Sequence, residues 1–351
     1  MTRIKPQGEE YVLRVDGLEK SYPLSGGAFS ASRGTVRAVD NVSFAIRPGQ
    51  TLGLVGESGC GKSTVARLVL RILEATAGAI WFRDRDAGWV DINTLSQRQI
   101  RPLRKNLQMI FQDPNASLNP RMPVSSIVGE PLRSNNLLPK SEVNDRVADA
   151  MRIVGLRPEY MNRFPHAFSG GQRQRIGLAR AIISSPQLVV ADEAVSALDV
   201  SVQAQILNLF RDLQDQLGLA YLFISHDLGV VRHVSDHIAV MYLGRIVEMA
   251  PKTALFEGPK HPYTEALLSA IPRPDPLIPR RAGLARGEIG DASRRPTGCA
   301  FHTRCRYAVD QCKVDVPELV QYAPGHFAAC HQATEITLEG TRNQHKMAVS
   351  A

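Results

Sequence analysis

Residues 56–64 read Gly-Glu-Ser-Gly-Cys-Gly-Lys-Ser-Thr, which satisfies G-x-x-x-x-G-K-[ST]. This spacing suits the binding of phosphate. Gly59 and Gly61 omit the Cβ that would keep backbone N–H groups from converging on phosphate oxygens. A helix opening at Lys62 adds the positive end of its dipole. Lys62 then reaches the β- and γ-phosphates of a nucleoside triphosphate, and Ser63 holds Mg²⁺. The expected contact set is Gly56, Ser58, Gly59, Cys60, Gly61, Lys62, Ser63 and Thr64. Cys60 serves as a small filler whose place near a helix N-terminus favours ionisation and oxidation.

Two later strings add to this chemistry. Leu188-Val-Val-Ala-Asp192-Glu193 is an apolar run ending in two acids. Asp192 suits Mg²⁺, and Glu193 suits the orientation and deprotonation of an attacking water. Ser169-Gly170-Gly171-Gln172 stands directly before a helical run through Ile176, Ala179, Ile182 and Ile183. Free N–H groups at that helix start form a second anion site.

The elements that must position these residues are legible as an alternation. Thr51–Val55 is a buried strand leading into the phosphate loop, and Val65, Leu68, Val69, Ile72 and Leu73 recur at helical spacing after it. Strands are expected near Ala38–Val39 and at Val42–Ile46, then at Leu188–Ala191, Ala220–Ile224, Ile238–Leu243 and Arg245–Met249. A helix from about Val202 to Leu217 separates the first two of the later strands. Residues 113–168 differ in kind, first rich in Pro and Asn, then helical, with Ser141 as cap and Val143, Val147, Met151 and Val154 on one face. The expected class is α/β: a phosphate-loop nucleotidase core with a mostly parallel sheet and an antiparallel β subdomain, plus an inserted helical subdomain.

With 351 residues, 44% apolar and 22% charged, the chain has material for one large domain and a smaller one. Its longest apolar stretch, Leu219–Ile224, is far short of the ~20 residues a membrane span requires. The first residues lack an apolar signal region, so a soluble cytosolic chain is expected. The net charge of +8 is concentrated between Ile271 and Arg306, where eight arginines face three acids among several prolines. Such a segment suits a solvated linker or contact with an anionic surface. Four of the five cysteines, Cys299, Cys305, Cys312 and Cys330, fall late in the chain. Their spacings depart from the C-x₂₋₄-C pairs of structural zinc, and cytosolic disulfides are rare. Four soft thiolates suit zinc, with His302 or His331 as substitutes, or an iron–sulfur cluster, and unligated thiols are the third reading.

Phe111-Gln112-Asp113-Pro114, Phe168-Ser-Gly-Gly-Gln172, Ala191-Asp-Glu193, Ser196-Ala-Leu-Asp199 and Ile224-Ser-His226-Asp227 follow the phosphate loop in that order. With these motifs the chain resembles the ATP-binding subunits of ABC transporters over roughly Tyr11 to Gly258. The resemblance implies that Gln112 contacts Mg²⁺ and its water, and that His226 contacts the γ-phosphate. It implies that Ser169, Gly170, Gly171 and Gln172 bind the γ-phosphate of an ATP held by an opposing subunit. Asp199 would bridge the two subunits, and Tyr22 would stack on adenine. Lys62, Glu193 and His226 are the implied catalytic residues, with Ser63, Gln112 and Asp192 around Mg²⁺. Two positions depart from the pattern: Phe168 replaces Leu, and Ala194 replaces the Pro after the base, which loosens that loop.

Ser117-Leu-Asn-Pro-Arg-Met122, Val200-Ser-Val-Gln-Ala-Gln205, Val240-Met-Tyr-Leu-Gly244 and His261-Pro-Tyr-Thr-Glu-Ala-Leu267 narrow the resemblance to the dipeptide/oligopeptide importer branch. Within it, the second of two paired ATPase subunits is the nearest type. The implied organisation is an ATPase domain over 11–258 with a helical subdomain over about 113–168. A linker and the start of a transporter-specific extension occupy 259–296, a four-cysteine module 297–332, and a mobile tail 333–351. The implied partners are a second ABC ATPase subunit, two transmembrane permease subunits and an extracytoplasmic solute-binding protein, with the chain peripheral on the cytoplasmic face of the membrane. Several members of this branch carry four cysteines here, which implies a [4Fe–4S] cluster, with Arg304, Arg306 and Lys313 offsetting its charge. The competing reading is an ABC-type ATPase acting on nucleic acid, to which the arginine-rich segment lends weight.

Overall fold

The computed structural model describes residues 5–8, 10–23, 35–271, 290 and 295–341. Its strands are β1 (Leu13–Pro23), β2 (Thr35–Ile46), β3 (Thr51–Val55), β4 (Ala77–Asp84), β5 (Gly88–Asp91), β6 (Leu107–Ile110), β7 (Leu188–Asp192), β8 (Ala220–Ser225), β9 (His237–Tyr242), β10 (Arg245–Pro251), β11 (Val320–Ala323) and β12 (His326–Ala328). The helices that matter to the site are α1 (Lys62–Val69), α2 (Val143–Ile153), α3 (Gly170–Ile182), α4 (Val200–Leu217), α5 (Leu228–Val234), α6 (Lys252–Glu257) and α7 (Pro262–Ser269).

The strands form two sheets. An eight-stranded sheet has the order β11-β12-β10-β9-β3-β8-β7-β6, and a four-stranded sheet has the order β2-β1-β4-β5. From β6 through β9 the larger sheet is parallel, and β10, β12 and β11 continue it antiparallel. The smaller sheet is antiparallel throughout. The parallel strands are largely apolar along their length because both faces are covered. Val189, Ala191, Tyr221 and Phe223 face the core shared with the helical subdomain, α4 and α5. Leu188, Val190, Leu222 and Ile224 face the core shared with the antiparallel sheet and α1. This alternation is the period-two pleat of a strand buried on two sides. Phe210 of α4 packs edge-on against Tyr221 and Phe223, with centroids 5.4 and 5.3 Å apart.

Two expected boundaries differ. Val36–Ile46 forms part of one strand, not two; Asn41 adopts φ 54°, and the register with β1 shifts around it. The irregularity lets the strand bend without ending. In the helical subdomain the face Val143, Val147, Met151 and Val154 is buried as expected. Ser141, however, is not the cap. The Glu142 N–H bonds to Pro139 O, so the chain enters α2 already wound, and Glu142 occupies the N-cap position.

The C-terminal residues attach to the core sheet. β12 pairs with β10 through Glu248–Ala328 and Met249–Phe327. Glu248 is fully buried; it accepts from the N–H groups of Lys260 and His261 and bonds His326 Nε2 at 2.7 Å. Residues 333–341 were expected to begin a mobile tail, yet they pack down. Leu338 is buried, Glu339 N–H donates to Glu265 at 3.0 Å, and Thr341 N–H donates to Phe256 O at 2.6 Å. The rest of that expected tail lies outside the described residues. Among the described residues no helix is long and apolar enough to cross a membrane.

Candidate functional site: a nucleotide-binding loop and a catalytic cluster

The phosphate loop joins β3 to α1. Gly61 stands at the α1 N-cap with φ 107°, a conformation that favours glycine. A Cβ there would lie 2.2 Å from Ala38 O, and a Cβ on Gly56 would lie 2.1 Å from Met241 O. The loop is therefore seated on backbone carbonyls of β2 and β9, a constraint with no local trace in the sequence. Gly59 adopts φ 81° with open space beside its Cα, where a ligand can approach. Ser58 and Gly59 form the exposed tip, and Thr64 is half-buried. Lys62 is buried, and its Nζ donates to Gly56 O at 2.7 Å and Glu57 O at 2.9 Å. Cys60 is buried, as expected of a small filler; burial pushes its pKa up, against the nearby Lys62 charge, which opposes the expected ease of ionisation.

The Ser63 hydroxyl donates to Asp192 Oδ1 at 3.0 Å. This joins two of the residues expected at Mg²⁺ and shows that their oxygens share one locus. Burial raises the Asp192 pKa, opposed by that hydrogen bond. At the carboxyl ends of β6, β7 and β8 a second group converges. Gln112 Nε2 donates to Glu193 Oε2 at 2.9 Å, and His226 Nδ1 lies 3.4 Å from the same oxygen. Glu193 holds φ 48°, a position a non-glycine residue occupies at some cost. Its carbonyl accepts both the N–H and the hydroxyl of Ser196 at 3.1 and 3.0 Å. Ala194, expected to loosen this loop, is buried, and the Ser196 turn closes the backbone around it.

The glycine signature lies apart from this cluster, at the start of α3. Ser169 is the N-cap: its Oγ accepts from Gln172 N at 3.3 Å, and Gln172 Oε1 accepts from Ser169 N at 3.0 Å. This reciprocal capping box holds the helix end. Gly171 has a packing reason as well, since a Cβ would meet Val202 Cγ1 of α4 at 2.4 Å. Phe168 anchors the motif as a buried residue edge-on to Tyr160. Asp199 caps α4, accepting from Val202 N at 2.9 Å and Ser201 Oγ at 2.8 Å, and these bonds lower its pKa. Tyr22 is on β1, with its ring partly exposed and Lys20 Nζ 5.1 Å from the centroid.

Cys299, Cys305, Cys312 and Cys330 line one pocket together with Phe301, Tyr307, His302 and His331. Burial pushes the Cys305 thiol up to about 11 and the Cys330 thiol to about 12. Four thiols on one pocket is the donor chemistry of a thiolate-bound group. Even so, among the described residues no group of three or more His, Cys, Asp or Glu is placed to hold a metal ion. His302 Nδ1 and His331 Nε2 are engaged with the carbonyls of Cys299 and Asp315. The basic neighbours are corrected: Arg304 pairs with Glu57, Arg306 with Glu265, and Lys313 with Asp310, so none stands as a free counter-charge to the pocket. Arg295 is likewise paired with Asp40, while Arg273, Arg280, Arg281, Arg286 and Arg294 lie outside the described residues.

Sequence reasoning missed two residues at the loop. Tyr263 Oη accepts from Glu57 N–H at 2.8 Å, and Arg304 forks onto the Glu57 carboxylate. Both lie more than two hundred residues downstream, and no local pattern announces them.

Comparison with known proteins agrees with this geometry. A family model described as "ABC transporter" matches residues 39–196, and one described as "Oligopeptide/dipeptide transporter, C-terminal region" matches 247–312. The chain is 48% identical over 326 residues to the oligopeptide transport ATP-binding protein AppF of Bacillus subtilis, covering 92% of this chain and 98% of the relative. It is 49% identical over 328 residues to the di/tripeptide transport ATP-binding protein DppF of Pseudomonas aeruginosa, covering 93% and 99%. The solved structure of cbiO1 from Clostridium perfringens, part of an ABC transporter complex, aligns with a TM-score of 0.59 at 26% identity over 71% of this chain and 91% of that one. A dimeric ATP-binding cassette bound to ADP and Pi shares the fold, with a TM-score of 0.59 at 24% identity over 68% and 98%. The nucleic-acid reading draws no support from these relatives. The chain belongs to the ATP-binding subunits of ABC transporters, in the oligopeptide/dipeptide branch, as an ATPase whose hydrolysis is coupled to transport.

Proposed function

We propose that the chain is the motor subunit of an importer of di- or oligopeptides, docked on permease subunits at the cytoplasmic face of the membrane. A second ATPase subunit, different in sequence, would face it, and an extracytoplasmic binding protein would deliver solute. The observation that carries the reading is the convergence of Gln112, Glu193 and His226 beside the linked Ser63–Asp192 pair, while the signature lies at another helix end. Lys62 and the loop N–H groups bind the triphosphate from one flank. Ser63, Asp192 and Gln112 would hold Mg²⁺, which when bound would supply positive charge against the phosphates. Glu193 accepts the proton of the attacking water, His226 orients at the γ-phosphate, and Tyr22 stacks on adenine. Ser169, Gly170, Gly171 and Gln172 present the opposite flank to the facing subunit's ATP, with Asp199 at the seam. Because ATP binds the closed pair more tightly than the open one, its loss reopens the pair.

The test is Glu193→Gln in the chain reconstituted with its partner subunits. Phosphate release should fall by about 100-fold or more, the range of a lost general base, while ATP binding persists. Unchanged turnover would remove Glu193 from the mechanism.

We also infer that Cys299, Cys305, Cys312 and Cys330 hold an iron–sulfur cluster of the [4Fe–4S] type with a structural role. Its support is their shared pocket. Protein purified without oxygen should contain iron and acid-labile sulfide in equal amounts, and the Cys305→Ser, Cys312→Ser double variant should lose both. Iron-free wild-type protein would overturn the assignment.

A further inference from the structure

An anion-binding loop that carries a carboxylate poses an electrostatic problem, and Glu57 is such a carboxylate, next to Gly56. Every polar group of Glu57 is engaged. Its carboxylate accepts a two-pronged fork from Arg304, Nη1 to Oε2 at 2.8 Å and Nη2 to Oε1 at 3.0 Å. Its N–H donates to Tyr263 Oη at 2.8 Å, and its carbonyl accepts from Lys62 Nζ at 2.9 Å. Glu57 thus links the catalytic lysine directly to the C-terminal region.

The holding side of this link is built into the core. Arg304 is 7% exposed, Tyr263 1% and Phe301 2%. Tyr242, Tyr263 and Phe301 form a triangle of rings with centroids 4.7, 5.3 and 5.3 Å apart. The Arg304 guanidinium carbon lies 5.9 Å from the Tyr242 centroid and 5.8 Å from that of Phe301. Tyr242 follows Met241, whose carbonyl seats Gly56. Phe301 in turn lines the thiol pocket, so loop, aromatic triangle and cysteine module share side chains. A bidentate Arg–carboxylate pair fixes direction as well as charge.

We propose that Arg304 and Tyr263 are positioning residues for the phosphate loop: Arg304 neutralises and aims Glu57, Tyr263 pins its N–H, and the C-terminal region thereby sets the affinity for ATP. The inference rests on the chain being an ATPase of this family and is independent of the solute and of any cluster. Without Arg304 the Glu57 charge is left bare in the loop and repels a triphosphate more than a diphosphate. The repulsion is Coulombic, so it weakens as salt rises.

The experiment compares wild type, Arg304→Gln, Arg304→Lys, Tyr263→Phe and the double variant Glu57→Gln/Arg304→Gln, each as the full chain with its partner subunits. Equilibrium binding of ATP and ADP is measured at low and high salt, with steady-state KM and kcat and the thermal midpoint. Arg304→Gln should weaken ATP binding roughly tenfold and ADP less, chiefly through KM, with the loss shrinking at high salt. The double variant should recover most of the affinity. Arg304→Lys should fall between, because it keeps charge and loses the fork, and Tyr263→Phe should weaken ATP about threefold. Two results would overturn the proposal: unchanged ATP affinity in Arg304→Gln, or a loss that Glu57→Gln fails to relieve and that tracks the thermal midpoint alone. Wild-type ATP binding in the same series tests the family reading separately.

Discussion

Single side chains in this protein often hold two assignments, and Asp199 shows how to separate them. It is the N-cap of α4 through Val202 N–H, and it is also the residue proposed to bridge the subunits. Asp199→Ala should cost about 1 kcal/mol of stability, the usual loss of a cap, seen as a lower denaturant midpoint. Asp199→Asn should keep that midpoint, because Asn caps as well as Asp. Any loss of turnover in the Asn variant with partners present then belongs to the seam. The placements of Lys62 with Ser63 and of Asp192 with Glu193 were legible because each pair lies within one short contiguous motif. The reasons for Gly56, Gly61 and Gly171 were not, since the atoms that exclude a Cβ, Met241 O, Ala38 O and Val202 Cγ1, come from other elements. The Arg304–Glu57 pair was hidden for the same reason.

Among the elements, α7 shows how a buried imidazole makes folding depend on pH. His261 caps the helix by accepting from Tyr263 N–H at its Nδ1, and burial pushes its pKa down to about 3. Below the unfolded value of 6.5 the unfolded chain takes up a proton that the folded chain refuses. Stability is therefore present above pH ~6.5 and falls as pH drops toward ~3, by up to about 1.4 kcal/mol per unit for this one group. His233 and His237 are depressed by burial too and act in the same direction. The unfolding free energy from urea titration should therefore drop between pH 7 and pH 5.5 by about 1 kcal/mol more in wild type than in His261→Asn, which keeps a capping acceptor without the titration. An equal fall in both would remove His261 from the effect. The strands β7 and β8 and helix α4 were readable because apolar runs and helical spacing report burial directly. β2 was read as two strands because Asn41 looks like a break, whereas its left-handed backbone only bends the strand. Ser141 failed as a cap because the turn from Pro139 preceded the helix.

As an assembled chain, the protein is one nucleotide-binding core whose sheet is lengthened by its own C-terminal region. The alternation of strands and helices disclosed the core, but a β12 of three residues carries too little pattern to announce that it pairs with β10. On the proposed function the binding site is likewise only half present: the loop and the Gln112, Glu193 and His226 group lie with β3, β6, β7 and β8, and the signature caps α3. On that proposal the chain would supply two unlike half-sites, each completed by a facing subunit. The most direct measurement is specific ATPase activity as a function of concentration, from micromolar to low nanomolar, with and without the partner ATPase subunit. Activity per chain should fall toward zero on dilution and return when the partner is added in excess. Constant activity per chain across the whole range, in the absence of any partner, would contradict the composite site.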